Sequence, residues 1–148
     1  MKLKKSHLGA GALALGTVLA FAVPAGAAVN LQSESSGGAA ISIAKKAKLQ
    51  ARGAATIVTV TVTCPAGAWY QVGVTVSQTV SPTSVTSGSR YISNQRCTGT
   101  TEKVKVAVTP TPGPFQPGVA YATGELDVSL PSGYTQLYTG REIINVAS

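Results

Sequence analysis

The sequence predicts an all-β fold, an antiparallel two-sheet sandwich of about seven short strands with one disulfide. Apolar residues recur at every second position in several segments, which is the period of a strand with one buried and one solvated face. Clusters of Gly, Pro, Ser and Thr separate these segments. The only two cysteines follow an N-terminal export signal, and this favours one disulfide in an oxidising compartment.

Residues 1–27 have the organisation of a signal peptide. Three of the first five residues are lysines, an apolar run covers residues 8–23, and a small-residue cleavage pattern ends at Ala27. The run is shorter than the ~20 residues that span a bilayer, so we predict secretion and no membrane span in the mature protein. Residues 28–40 are predicted to be a flexible leader, and residues 41–148 the sandwich domain.

Seven segments are predicted as strands: residues 48–51, 58–64, 69–76, 90–95, 104–108, 122–130 and 141–146. The first belongs to residues 41–52, whose helix propensity is good but whose apolar residues build no wide helical stripe, so strand or extended loop is favoured. The second is the clearest, because valines alternate with threonines up to Cys64. A Pro-Ala-Gly turn then leads into the third strand, which places Trp69 on the face opposite Tyr70. These two strands are expected to form a hairpin.

The second half of the chain contains longer irregular stretches. Residues 81–89 are rich in Ser, Thr, Pro and Gly and predict a loop before the short fourth strand. In the fifth strand, valines alternate with Lys103 and Lys105, whose side chains are expected to face water. Four prolines within residues 110–117 lack a backbone donor and predict a stiff connection. The sixth strand is long and expected to bend near Gly124, and the seventh follows it.

Cys64 and Cys97 are predicted to form the disulfide. The closed loop of about 34 residues would stabilise the fold by roughly 3–4 kcal/mol in the chain-entropy model. Cys64 stands at a strand end, and Trp69 follows it by only five residues. The bond is therefore expected to tie two strand ends at one pole of the domain.

The composition limits the chemistry of the mature chain. His7, the only histidine, belongs to the signal peptide, so histidine-dependent nucleophilic catalysis and the commonest zinc ligand are excluded. No phosphate-binding or dinucleotide motif occurs, and no cofactor or metal is predicted. Glu125 and Asp127 share a strand face, as paired glycosidase carboxylates can. Because Leu126 and Val128 are expected to point inward, the two acids are predicted to be ordinary solvent-facing residues, and a hydrolase is only the third alternative.

The densest basic cluster consists of Lys45, Lys46, Lys48 and Arg52 in a chain of net charge +7. Outside a cell, its expected partner is an anionic cell-envelope polymer or a surface glycan, and the alternative is ordinary solvated charge. Nucleic acid is not expected, because the aromatic residues lie elsewhere in the sequence. Trp69 could stack on a sugar or could simply cover a sheet edge. A monomer is expected.

Several short segments follow the signal peptide in an order that is typical of one group of proteins. They are residues 48–55, the Thr-Cys-Pro-Ala-Gly of 63–67, the Cys-Thr-Gly-Thr of 97–100, the valine strand 104–108, the Phe-Gln-Pro-Gly of 115–118, and the Arg-Glu-Ile of 141–143. This order resembles the small secreted immunoglobulin-like proteins of actinobacteria. That group is functionally uncharacterised, so the resemblance implies an immunoglobulin-like sandwich and an extracellular location, with no catalytic residues.

Together these observations predict a secreted, non-catalytic β-sandwich module with a binding or structural role at the extracellular surface or cell envelope. The alternative is a small-molecule carrier with an apolar cleft between the sheets, for which the small inward residues Ala122 and Gly124 leave room.

Overall fold

A computed structural model of the protein describes residues 33–34 and 38–148, which form nine strands and one 3₁₀ turn, Ala51–Gly53. The predicted signal peptide lies outside the described residues. The strands are β1 (Ser33–Glu34), β2 (Ala40–Gln50), β3 (Ala55–Thr63), β4 (Trp69–Ser81), β5 (Ser84–Arg96), β6 (Glu102–Val108), β7 (Gly118–Leu130), β8 (Gly133–Tyr138) and β9 (Glu142–Ala147). The predicted all-β class is confirmed. Part of the predicted leader is ordered into strands, namely β1 and the start of β2.

The strands form one connected sheet with the order β5-β4-β7-β9-β2-β3-β6, to which β1 adds beside β2 and β8 beside β7. All neighbouring strands are antiparallel except β2 and β9, which pair in parallel from Lys46 opposite Asn145 to Lys48 opposite Ala147. The sheet is therefore mixed, and the prediction of a purely antiparallel arrangement was wrong. This pairing begins within the register shift that β2 has between Ile43 and Ala47, and it involves only the second part of β2.

The sheet curls until its two ends meet. Ser87 of β5 and Thr111, which follows β6, exchange two backbone hydrogen bonds of 3.3 and 2.7 Å. The adjacent Gly88 allows this approach, because a Cβ there would lie 2.1 Å from the Thr109 carbonyl oxygen. Inward side chains from both halves of the sheet consequently pack into one core.

The core contains the alternating apolar residues that the sequence places on the buried face of each strand. The largest fully buried side chains are Phe115, Ile41, Leu126, Ile144, Val58, Val60, Val62, Val72, Val74, Val76, Val106 and Val108. Threonines alternate with the valines of β3 and are at most half-buried, except for the buried Thr56. Alternation of this kind buries one face of the strand and solvates the other.

Two strands differ from the prediction because they have almost no buried face. The predicted loop over residues 81–89 was wrong beyond the turn at Pro82 and Thr83, since β5 pairs with β4 along most of its length. In β5 only Thr86 is buried, and in β8 only Leu137. A strand that buries only one side chain has no apolar residue at every second position. For this reason β8 was not predicted from the sequence.

The predicted disulfide between Cys64 and Cys97 is confirmed, with the two Cα atoms 5.7 Å apart. Each cysteine directly follows a strand, β3 or β5, so the bond ties two strand ends as expected. The surrounding turn is held by hydrogen bonds from Gly67 N to Cys97 O and from Cys97 N to Ala68 O, both 2.9 Å.

The proline-rich segment connects β6 to β7, as predicted, and it is fastened at two points. Phe115 is fully buried, and its backbone N–H donates to the Gly53 carbonyl at 3.0 Å. The buried Gln78 side chain both donates to and accepts from the backbone of Gln116, each at 2.8 Å. This connection is thus part of the packed domain.

Candidate functional site

Two surfaces of different chemistry lie on the outer side of the sheet. One is formed by β2, β3 and β6 at one end of the strand order, and the other by β4, β5, β7 and β8 at the opposite end. Because the inward side chains of both ends share one core, the two surfaces face in opposite directions.

The first surface, called here the lysine groove, is an open concavity of about 570 Å³ lined by Lys46, Lys48 and Lys105. Its floor includes Ile57 and Thr59 of β3. The strand register brings these residues together, since Lys48 lies opposite Ile57, and Thr59 lies opposite Lys105. Lysines that are far apart in the sequence therefore share one depression.

The four residues of the predicted basic cluster lie at three different places on the surface. Lys46 and Lys48 line the groove, whereas Arg52 lines a different concavity beside Pro110 and Pro114. Lys45 forms an ion pair of 2.5 Å with Glu142, a carboxylate that is almost fully buried. The lysine that completes the groove, Lys105, comes from the predicted fifth strand, whose basic side chains were expected to face water and to support the basic cluster.

The second surface, called here the aromatic face, consists of four aromatic side chains around a polar centre. Each ring is between 50% and 62% exposed, an unusual degree for residues of this size. The rings are Trp69, Tyr91, Tyr134 and Tyr138. The predicted outward orientation of Trp69 is confirmed, whereas the three tyrosines were not predicted to accompany it.

Strand register arranges the aromatic face in three rows across the sheet. The rows are Trp69 with Ser129 and Tyr134, Gln71 with Asp127 and Gln136, and Tyr91 with Gly73, Glu125 and Tyr138. The aromatic rings therefore lie only in the two outer rows. The middle row consists of two amides and the Asp127 carboxylate, and Glu125 lies between the tyrosines of one outer row. Successive rows are about 7 Å apart, because they are two residues apart along each strand.

The carboxylates hold the polar centre together. Glu125 accepts hydrogen bonds from the Tyr91 hydroxyl at 3.2 Å and from the Gln136 amide at 2.7 Å. A hydrogen bond with Asp127 is the main cause that raises the pKa of Tyr134 to about 12. The hydrogen bond to Glu125 likewise raises the pKa of Tyr91. The Tyr91 hydroxyl is accordingly held as a donor to Glu125.

One acceptor at this centre has no donor. The Oδ1 atom of Asp127 is shielded from solvent and has no hydrogen-bond partner among the described residues. An acceptor in that position is costly to leave unpaired. Asp127 also lines the concavity of about 290 Å³ beside Trp69 and Tyr134, so a donor entering there would lie next to this side chain.

Two neighbours fix the orientation of the rings. Gly73 lies beneath Tyr91, and a Cβ at position 73 would lie 2.4 Å from the Cε1 atom of that ring. Arg96 stacks over Trp69 with its guanidinium carbon 5.5 Å from the ring centroid, a cation–π contact. Two of the four rings of the aromatic face are therefore held in position by their neighbours.

The predicted apolar cleft between the sheets requires free space beside Gly124. The space that Gly124 leaves on the inner face is filled by Ile41 and Ile43, whose Cδ1 atoms would lie 3.1 and 3.2 Å from a Cβ there. Within residues 33–34 and 38–148, no cluster of three or more His, Cys, Asp or Glu side chains could hold a metal ion. The same residues contain no helix long and apolar enough to cross a membrane.

Comparison with known proteins found no matching family model, no matching curated protein and no matching solved structure. The lysine groove and the aromatic face are therefore the two features of this protein that indicate a function.

Proposed function

We propose that the protein is a secreted, non-catalytic module that binds an anionic polymer of the cell envelope through the lysine groove. The observation that carries this proposal is the convergence of Lys46, Lys48 and Lys105 on one concavity. Clustered charges of one sign in a depression raise the local concentration of the opposite charge.

The spacing of the lysines suits a chain ligand. Lys46 and Lys48 are two residues apart on β2, a separation of about 7 Å, and Lys105 lies two strands away, at about 10 Å. Three ammonium groups across this distance can contact successive anionic groups of one polymer. The binding is expected to weaken with salt, because exposed charges are screened over a Debye length of about 8 Å at physiological ionic strength.

The proposal includes the architecture and the location. We infer that the two ends of the curled sheet correspond to the two layers of an immunoglobulin-like sandwich, since their inner faces share one core. The signal-like residues 1–27 and the paired cysteines support secretion. The order of segments that resembles secreted immunoglobulin-like proteins of actinobacteria supports both inferences.

The test is co-sedimentation of the purified protein with isolated Gram-positive cell envelopes, with and without their anionic polymers, across a salt series. Lys105→Gln is expected to weaken binding at least about threefold, in proportion to the loss of one close charge contact. Lys103→Gln is the matched control, because Lys103 lies two residues away on the same strand face and outside the groove lining. Equal effects of the two variants, or binding that persists after removal of the polymers, would overturn the proposal.

A further inference from the structure

The aromatic face has a chemistry that the lysine groove does not explain. Four half-exposed rings form a discontinuous apolar surface, interrupted by the carboxylates of Glu125 and Asp127. A protein interface over this surface would have to desolvate both acids between apolar groups, which is costly. A ligand that is apolar on its faces and rich in hydroxyl donors at its edges fits both parts of the surface.

We propose that the aromatic face is a second binding site, for an uncharged polysaccharide chain of β-linked pyranose rings. In such rings the substituents are mostly equatorial, so the ring faces expose C–H groups that stack on aromatic side chains. The hydroxyls around the ring edge donate to carboxylates and amides. The two carboxylates disfavour a polyanion, so this site and the lysine groove select different polymers.

The dimensions of the face fit a chain better than a single sugar. The rows of Trp69 and Tyr138 are four residues apart along the strands, about 13 Å, which exceeds the length of one pyranose ring. A chain lying along the strands would meet rings of the outer rows at its ends and the middle row between them. There, the carboxylate of Asp127 lines the concavity beside Trp69, and a sugar hydroxyl can donate to it.

The face is also preorganised for this ligand. Arg96 holds the Trp69 ring, and the hydrogen bond to Glu125 holds Tyr91. Rings that are already in position lose less conformational entropy on binding than free ones.

The sequence provides a direct probe, because Trp69 is the only tryptophan in the chain. Titration of the full protein with the soluble hexamers of β-1,4-linked N-acetylglucosamine and of β-1,4-linked glucose is expected to give a saturable change in Trp69 emission for at least one of them. Polygalacturonate, an anionic chain, is expected to give none.

Variants that keep the fluorophore locate the site. Tyr134→Ala is expected to lower the affinity at least about fivefold, the size of one aromatic contact. Gly73→Ala is expected to lower it as well, because the new Cβ displaces the Tyr91 ring without removing any aromatic residue. The matched control is Tyr121→Ala, since Tyr121 is an exposed tyrosine of β7 outside the three rows. Lys105→Gln is expected to leave this affinity unchanged, which separates the site from the lysine groove.

Circular dichroism of each variant verifies that the fold is retained. Three outcomes would overturn the proposal: no emission change with either hexamer, an equal loss in the Tyr121 and Tyr134 variants, or self-association that Tyr134→Ala abolishes. The last outcome, measured by sedimentation velocity, would assign the face to contacts between copies of the chain.

Discussion

Replacing Lys45 with methionine is expected to destabilise the fold, although the sequence presents Lys45 as a free surface cation. Its ammonium group is the ion-pair partner of Glu142, whose side chain is only 7% exposed. Removing one member of a fully buried ion pair costs about 3–5 kcal/mol, because the other charge is left uncompensated. The Lys45 side chain is 44% exposed, so water can replace part of the interaction, and we reduce the expected loss to about 2–3 kcal/mol.

The assay is urea unfolding followed by circular dichroism, with Lys46→Met as the matched control. Lys46 is the next residue of β2, and its exposed side chain lines the lysine groove. Its substitution is expected to change the free energy of unfolding by less than about 0.5 kcal/mol. The Lys45 variant should also melt at a temperature lower by roughly 10 °C, the shift that such a loss produces in a domain of this size.

A double variant tests the cause of the loss. Glu142→Gln in the Lys45→Met background removes the unpaired charge and is expected to recover part of the lost stability. The reasoning is refuted if Lys45→Met and Lys46→Met are equally stable. It is also refuted if the double variant is no more stable than Lys45→Met alone.

Three further results are expected. Replacing Cys64 and Cys97 together with alanine should lower the free energy of unfolding by about 3.7 kcal/mol in the chain-entropy model, from the sequence separation of 33; a loss below 1 kcal/mol in urea unfolding would contradict it. Gly53→Ala should cost more than about 2 kcal/mol, because the residue combines positive φ with a Cβ site 2.1 Å from a carbonyl oxygen. Gly67→Ala, with positive φ and open space, should cost only about 1 kcal/mol in the same measurement; equal losses would refute the role of crowding. The pKa of Tyr134 is raised to about 12, above its unfolded value of about 10, so its contribution to stability is present below pH 10 and is lost as the pH rises towards 12. Tyr134→Phe should reduce that alkaline slope of stability, and an unchanged slope would contradict the assignment.

The sequence was sufficient to predict elements that bury one complete face. Strand β3 was predicted because Val58, Val60 and Val62 alternate with solvated threonines. The disulfide was predicted because the compartment and the cysteine count leave one pairing. The edge strands β5 and β8 could not be predicted in full, because their pairing is satisfied through the backbone while most of their side chains remain in solvent.

The candidate sites could be predicted only in part, because they depend on strand order. Trp69 was predicted to face outward from local alternation alone. Its neighbours Tyr91 and Tyr134 come from other strands, and only the register across β5, β4, β7 and β8 brings them together. Similarly, Lys45 and Glu142 are 97 residues apart in sequence. No local pattern indicates that the exposed-looking lysine has a buried partner.

The position of β9 in the sheet affects the order in which the protein can fold during its synthesis. This strand is the last of the described strands to leave the ribosome, yet it lies in the middle of the sheet, between β7 and β2. The growing chain can form the β2–β3 and β4–β5 hairpins early, but the β7 and β2 edges have no strand between them until residues 142–147 have been made. Completion of the sheet is therefore a late, long-range event, of the kind that makes β-rich chains fold slowly. Until β9 is added, an incomplete chain therefore has two strand edges, on β7 and β2, without their final partner.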